Sequence, residues 1–295
     1  MFKRLTSFFR VIFIIICIGL IIFGSSKIIN NKTEIADAQT ILDDIKTTAA
    51  IKVDVEDKKS TIRERDPFGT DLGGDYYWGL DDDIDIDIEV KEATTINEKR
   101  TGNYYLEIDF DEIKAEYPNV VAYLKVNGTN VEYPIVQGED NKFYLKHSID
   151  DSESGIGWPF MDYRSDSDAM VGNTVIYGHN IKNKTMFGEL TKLINNKKWF
   201  DSEANSEIYF VTEDKTYVYK IFSVYNSSPK FNYFKTDFEN TDEFNDFLSV
   251  VKSKNKVKNI DSDINTTQVL TLSTCYNSGT QRLVIHAYLE RSANR

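Results

Sequence analysis

The stretch VLTLSTCYNSGTQRLVIHAYLE, Val269 to Glu290, contains Cys275, the only cysteine outside an apolar amino-terminal segment. An apolar strand-like run ends at Cys275 and another begins at Arg282, with YNSGTQ between them. If the two runs pair across that loop, thiol and guanidinium lie at neighbouring strand ends. A thiolate attacking a carbonyl creates an oxyanion, and a guanidinium held beside it can donate hydrogen bonds to that charge. The spacing therefore suits acyl transfer, although it also fits a buried strand cysteine beside a surface arginine.

A nucleophilic thiol needs a proton carrier, and the chain has three histidines. His147 lies in YLKHSIDD, a polar loop. His286 shares a strand face with Arg282 but stands four residues along, roughly 13 Å at strand rise. That reads as a histidine packed on the barrel. His179 ends the run NTVIYGH and is followed by Asn180, so it sits at an element edge where a side chain can face a cleft. It is the best-placed partner, and the following NKTMFGEL predicts a helix start near Thr185.

The elements that must position these groups are mostly short strands. Beyond Tyr104, runs at NVVAYLKV, VEYPIVQ, NTVIYGH, SEIYFVT, KTYVYKIFSVY, TQVLTLSTC and RLVIHAYLE carry β-branched and aromatic residues between turn signals such as Asn127-Gly128. Such a series with few helices predicts a closed barrel. Helices are expected over Asp111 to Tyr117, ended by Pro118, and at TDEFNDFLSVVKSK. TEIADAQTILDDIKTTAAIKV also reads as a helix, with Thr33 as a possible N-cap and Ile35, Ala38, Leu42 and Ile45 on one face, either a stalk or a helix packed on the domain.

At the amino terminus, Val11 to Phe23 is an unbroken apolar run preceded by Lys3, Arg4 and Arg10. The span can start near Phe8 if Arg10 snorkels, and Phe23-Gly24-Ser25 makes a poor cleavage site. The reading is an uncleaved signal-anchor transmembrane helix, amino terminus cytoplasmic and the rest outside. A lone thiol in an oxidising exterior needs a reason, and reactivity supplies one. Four of the 35 basic residues and none of the 47 acidic ones precede Ile28, which leaves the remainder at a net charge of −16. That surface repels phosphate backbones, so nucleic-acid binding is excluded as a function class.

The domain reading is 1–27 as cytoplasmic tail and anchor, 28–103 as helical stalk and acidic linker or appended region, and 104–295 as the catalytic domain. Between Asp54 and Arg100 the chain turns acidic, and DDDIDIDIEV has the alternation of an edge strand or a solvated acidic segment.

Taken together, NTVIYGHN, MFGEL and TLSTC with Arg282 seven residues on resemble the sortases, cysteine transpeptidases of the Gram-positive cell surface, and within them class B. YLKVNGTNVEYPIVQGEDNKFYL, SGIGWPFMDYR and TDEFNDFLSVVKSK extend the resemblance over roughly residues 109–290. It implies a mostly β fold, a sortase-type closed eight-stranded β-barrel with flanking helices.

Carried over by position, it implies Cys275 as nucleophile, His179 as general acid and Arg282 as the oxyanion and substrate-orienting group. Asn141, Leu145, Tyr177 and Ser273 match positions that line the class B peptide groove. The implied partners are surface proteins with a carboxy-terminal sorting signal, cleaved after Thr, and a peptidoglycan precursor or cross-bridge amine as acceptor. No cofactor is implied. Two departures stand out: Trp158-Pro159-Phe160 is bulkier than the usual pattern, and Asp66-Pro67-Phe68 is similar to the lid motif of pilin-polymerising class C sortases. The second makes a lysine acceptor the alternative reading.

Overall fold

The computed structural model describes residues 30, 32–47, 50–55, 103–166, 172–261, 264–276 and 279–295. Eight strands close into a barrel: β3 (Val120–Val126), β4 (Glu132–Gln137), β5 (Phe160–Met161), β6 (Gly172–Tyr177), β7 (Glu207–Val211), β8 (Lys215–Ser227), β9 (Gln268–Tyr276) and β10 (Gln281–Asn294). Their order around the barrel is β10-β8-β7-β3-β4-β5-β6-β9. Most neighbours are antiparallel, but β4 meets β5 and β6 meets β9 in parallel. A parallel pair cannot be joined by a tight turn, and here β7, β8 and a helix intervene between β6 and β9.

The long strands β8 and β10 pair from Arg282↔Ser227 to Asn294↔Lys215, with register shifts at His286/Ala287 and Leu289/Arg291. Such irregularities bend a strand and increase its twist, which lets it curve with the barrel wall. Alternation sorts the side chains. Leu270, Leu272, Leu283, Ile285 and Ala287 join the main core, whereas Val269, Val284 and Tyr288 pack in outer clusters. On that outer face of β9, Thr271, Ser273 and Cys275 follow Val269.

Helices cover the outside. Helix α4 (Thr241–Ser253) is N-capped by Asn240, whose side chain accepts from the Glu243 N–H, and Phe244, Leu248 and Val251 form its buried stripe against Phe222 and Val269. Helix α2 (Phe110–Glu116) is N-capped by Asp109 and ends ahead of Pro118, which cannot continue it. Helix α3 (Thr191–Asn195) is a single turn.

Two expectations for the stalk are corrected. Helix α1 already includes residue 32 and runs to 47, so Thr33 lies inside it and is not its N-cap. The expected helical tail instead forms β1 (Ala50–Val55), which pairs antiparallel with β2 (Asn103–Ile108) in a separate two-stranded sheet. Helix α1 is part of the globule: Leu42 and Ile45 are buried in the main core, and Ile35, Ala38 and Ile41 pack on it. The expected membrane span, the acidic segment and Asp66-Pro67-Phe68 lie outside the described residues. Among the described residues, no helix is long and apolar enough to cross a membrane.

Candidate active site

Cys275 is the penultimate residue of β9 and sits directly opposite Arg282 in the antiparallel β9–β10 register. Strand β6 runs parallel on the other side of β9, with Tyr177 level with Ser273. The ladder continues past the strand end, since Gly178 N–H donates to Ser273 O at 3.2 Å and Asn180 Nδ2 donates to Cys275 O at 2.7 Å. His179 follows two residues beyond Tyr177, the last paired position of β6. Cys275 and Arg282 are therefore cross-strand neighbours, the His179 segment lies beyond the β6 end beside them, and all three residues are half-buried.

The imidazole is held by a contact that settles its proton. His179 Nε2 lies 2.9 Å from Leu145 O, and a carbonyl can only accept, so Nε2 carries a hydrogen and Nδ1 is the nitrogen left for proton transfer. The neighbouring motifs explain how the ring is placed. A Cβ at Gly178 would lie 2.6 Å from the Phe187 ring, and Phe187 N–H donates to His179 O at 2.9 Å. Gly157, at φ +60°, passes so close that a Cβ would lie 2.5 Å from Tyr144 O and 3.0 Å from His179 Cδ2. The MFGEL stretch is thus a bracket for the histidine segment. It does not start a helix at Thr185; the helical turns begin at Gly188 and Thr191.

Arg282 Nη1 donates to Gly279 O and Gln281 O, both at 3.1 Å. These neutral acceptors orient the guanidinium without discharging it, and among the described residues no carboxylate pairs with it. No group of three or more His, Cys, Asp or Glu that could hold a metal ion occurs among the described residues.

The other two histidines lie elsewhere. His147 stacks on Phe143 with ring centroids 3.9 Å apart and bonds to Phe143 O, so it is half-buried rather than a free loop side chain. His286 is 0% exposed, bonded to Thr271 and Tyr225, and burial pushes its imidazole down to about 3. It is held neutral and packed.

The expected groove residues split into two groups. Asn141 Nδ2 and Tyr177 Oη both donate to Asp162 Oδ2, at 2.9 and 2.8 Å, and Leu145 exposes 38% of itself beside the carbonyl that holds His179. Ser273 is 2% exposed, and its hydroxyl meets the phenol of Tyr233 at 2.8 Å. Burial raises the Tyr233 phenol, and its hydrogen bond to Ser273 offsets part of that rise. Tyr233, Asp162, Arg164 and Asn180 were not singled out by the sequence reading. Asn180 follows His179 in YGHN and Asp162 stands in MDYR, but nothing in either spacing marks a partner far away in the chain.

A closed eight-stranded barrel with Cys275 opposite Arg282 on β9 and β10, the His179 segment just beyond β6, and the order His, Cys, Arg along the chain is the arrangement expected of a sortase. The sortase-domain model matches residues 124–290, and the chain belongs to that family. Among its relatives, sortase B of Staphylococcus aureus is 33% identical over 184 residues, 60% of this chain and 73% of that protein. Sortase B of Listeria monocytogenes is 29% identical over 191 residues, 64% of this chain and 74% of that protein.

Solved structures agree. A Staphylococcus aureus sortase B–substrate complex superposes with a TM-score of 0.55 at 31% identity, covering 62% of this chain and 84% of that one. Clostridium perfringens sortase B gives a TM-score of 0.57 at 32% identity, covering 62% of this chain and 100% of that one. The protein is a class B sortase, and thus at family level a transpeptidase.

Proposed function

We propose that this chain is a membrane-anchored cysteine transpeptidase that cleaves a carboxy-terminal sorting signal after Thr and joins the surface protein to a peptidoglycan amine. The supporting observation is the placement of Cys275 between Arg282 on β10 and the His179 segment beyond β6. In the first half-reaction the Cys275 thiolate attacks the Thr carbonyl carbon, and the oxyanion takes hydrogen bonds from Arg282. The peptide C–N bond then breaks as the His179 proton passes to the leaving amine, which leaves a thioester. In the second, the acceptor amine attacks the thioester, its proton returns to His179, and the C–S bond breaks to free the thiolate.

Asn141, Leu145, Tyr177 and Ser273 belong to the groove for the peptide, Ser273 through its bond to Tyr233. The apolar Val11 to Phe23 run and its basic flank support a single-pass anchor with the catalytic domain outside the cell.

The test uses the full-length protein in detergent with fluorogenic peptides in which Thr is fixed before the scissile bond and the preceding positions are randomised. A glycine-type or a lysine-type amine serves as acceptor. The expected result is a thioacyl adduct on Cys275 by mass spectrometry, a ligated product with the glycine-type amine, and neither in Cys275→Ala. Absence of cleavage and adduct with every peptide would overturn the enzyme reading. A product with the lysine-type amine alone would move the assignment to pilin polymerisation.

A further inference from the structure

Asp162 stands at the centre of a polar cluster that the chemistry above does not use. The residue is 0% exposed, yet its carboxylate receives five hydrogen bonds. Oδ1 accepts from the Arg164 N–H at 3.0 Å and from Arg164 Nε at 2.8 Å. Oδ2 accepts from Arg164 Nη2 at 2.7 Å, Asn141 Nδ2 at 2.9 Å and Tyr177 Oη at 2.8 Å. A buried carboxylate is costly unless it is paired and hydrogen-bonded, and here it is both. Burial pushes its titration upward, but the hydrogen bonds from Arg164 and Tyr177 outweigh that and hold it below the usual carboxylate range.

Its backbone is anchored independently. Asp162 N–H donates to Val175 O at 2.8 Å, and Asp162 O accepts from Gln137 Nε2 at 2.9 Å. The side chain is therefore not needed to hold its own strand in place. What it holds are three segments that carry expected groove residues or their partners. The stretch 138–146 carries Asn141 and Leu145, both expected in the groove. The end of β6 carries Tyr177, two residues before His179. The stretch 228–240 is reached through Arg164 Nη2, which also donates to Phe234 O at 3.2 Å, next to the Tyr233 that meets Ser273.

We propose that Asp162 is a positioning residue for the peptide groove: its ionised carboxylate clamps Asn141 and Tyr177 in one geometry and, with Arg164, ties down the segment that carries Tyr233. The proposal rests on the reading of the surface around Cys275 as a peptide-binding groove. Chemistry restricts the position to a carboxylate. Arg164 donates to both oxygens, so an amide would set its own NH2 against an Arg164 N–H whichever way it turned. Cys275, His179 and Arg282 make no bond to the Asp162 side chain, so its loss falls on peptide affinity rather than on the acyl transfer itself.

The experiment compares the full-length protein with Asp162→Asn, Arg164→Gln, Tyr177→Phe and the Asp162→Asn/Tyr177→Phe double variant. Steady-state kcat and KM are read with the best peptide from the Thr-fixed library. Iodoacetamide alkylation of Cys275 and the unfolding midpoint are measured alongside. Dissociation constants for the same peptide are measured by calorimetry in a Cys275→Ala background. Loss of charge-assisted hydrogen bonds predicts a rise in KM and Kd of about tenfold or more in Asp162→Asn, with kcat and the alkylation rate within about twofold of the parent. Tyr177→Phe adds nothing further on top of Asp162→Asn, since the two act through one contact.

KM and Kd within about twofold of the parent, additive effects in the double variant, or a loss confined to kcat and alkylation would each overturn the proposal. If Asp162→Asn does not fold, the partly exposed Arg164→Gln decides, with an expected KM rise of about threefold and an unchanged KM as the contrary result. If the parent turns over no peptide while Cys275→Ala binds one, the transpeptidase reading falls and the Kd values still decide this one. If Cys275→Ala binds none, both fall.

Discussion

Cys275 and Arg282 are seven residues apart and face one another because the loop between them lets β9 and β10 pair with those two residues in register. His179 reaches the same place by a different route, along a parallel strand whose partner comes nearly a hundred residues later. Residue types and the short Cys–Arg spacing are visible in the sequence, whereas the choice among three histidines rested on strand-end context and family resemblance. The glycine before His179 is a sharp test. In Gly178→Ala the new methyl meets the Phe187 ring. The histidine segment must shift, and kcat for peptide cleavage should fall at least about tenfold, as a displacement of the order of 1 Å can cost a hundredfold. Retained kcat would show that the bracket does not set the histidine.

At the scale of elements, helix α1 is the piece that sequence periodicity described best by face and least well by its ends. The apolar stripe Ile35, Ala38, Leu42, Ile45 does meet the core, and Glu34 Oε2 adds a bond from the Gly155 N–H at 2.9 Å, two residues from the glycine that abuts His179. Leu42→Ala should therefore lower the unfolding free energy by about 2–4 kcal/mol, measured by urea denaturation, whereas a free stalk helix would show almost no change. On the far side of the barrel, Asn240→Ala removes the α4 cap and should cost about 1 kcal/mol by the same measurement.

The elements misread from sequence share a cause. Residues 181–187 have helix-compatible composition, but Asn183 Oδ1 accepts from the backbone and hydroxyl of Thr185, and Lys184 and Met186 take positive φ. Local side-chain bonds of this kind compete with the helix and win where packing on Gly178 rewards them. β1 forms for a non-local reason, a partner strand some fifty residues downstream.

For the whole molecule, the buried network His286–Thr271–Asn173 makes the fold acid-sensitive. Thr271 donates to Asn173 Oδ1 at 2.5 Å, so it accepts from His286 Nδ1, and Nε2 accepts from Tyr225 Oη. Burial pushes the folded imidazole down to about 3, from an ordinary value of about 6.5. Between those values the unfolded chain takes up a proton that the folded one refuses, so stability is full above pH 6.5 and falls as the pH drops toward 3. The slope approaches about 1.4 kcal/mol per pH unit within that window. Urea titrations from pH 7 to 4 should show this slope, and His286→Gln, though less stable at pH 7, should show a flatter one. An unchanged slope would assign the acid loss to carboxylates.

The sequence by itself determined the mostly β barrel class, the acidic charge balance and the candidate thiol and guanidinium, because strand periodicity and residue chemistry are local properties, while the choice of His179 leaned on family resemblance. Tertiary structure alone decided that the tail of the expected α1 helix pairs as β1, that His286 bonds Thr271 and Tyr225, and that Asp162 collects Asn141, Tyr177 and Arg164. Each of these depends on contacts between residues distant in sequence, and a buried charge is recognisable only once the donors that surround it are in place.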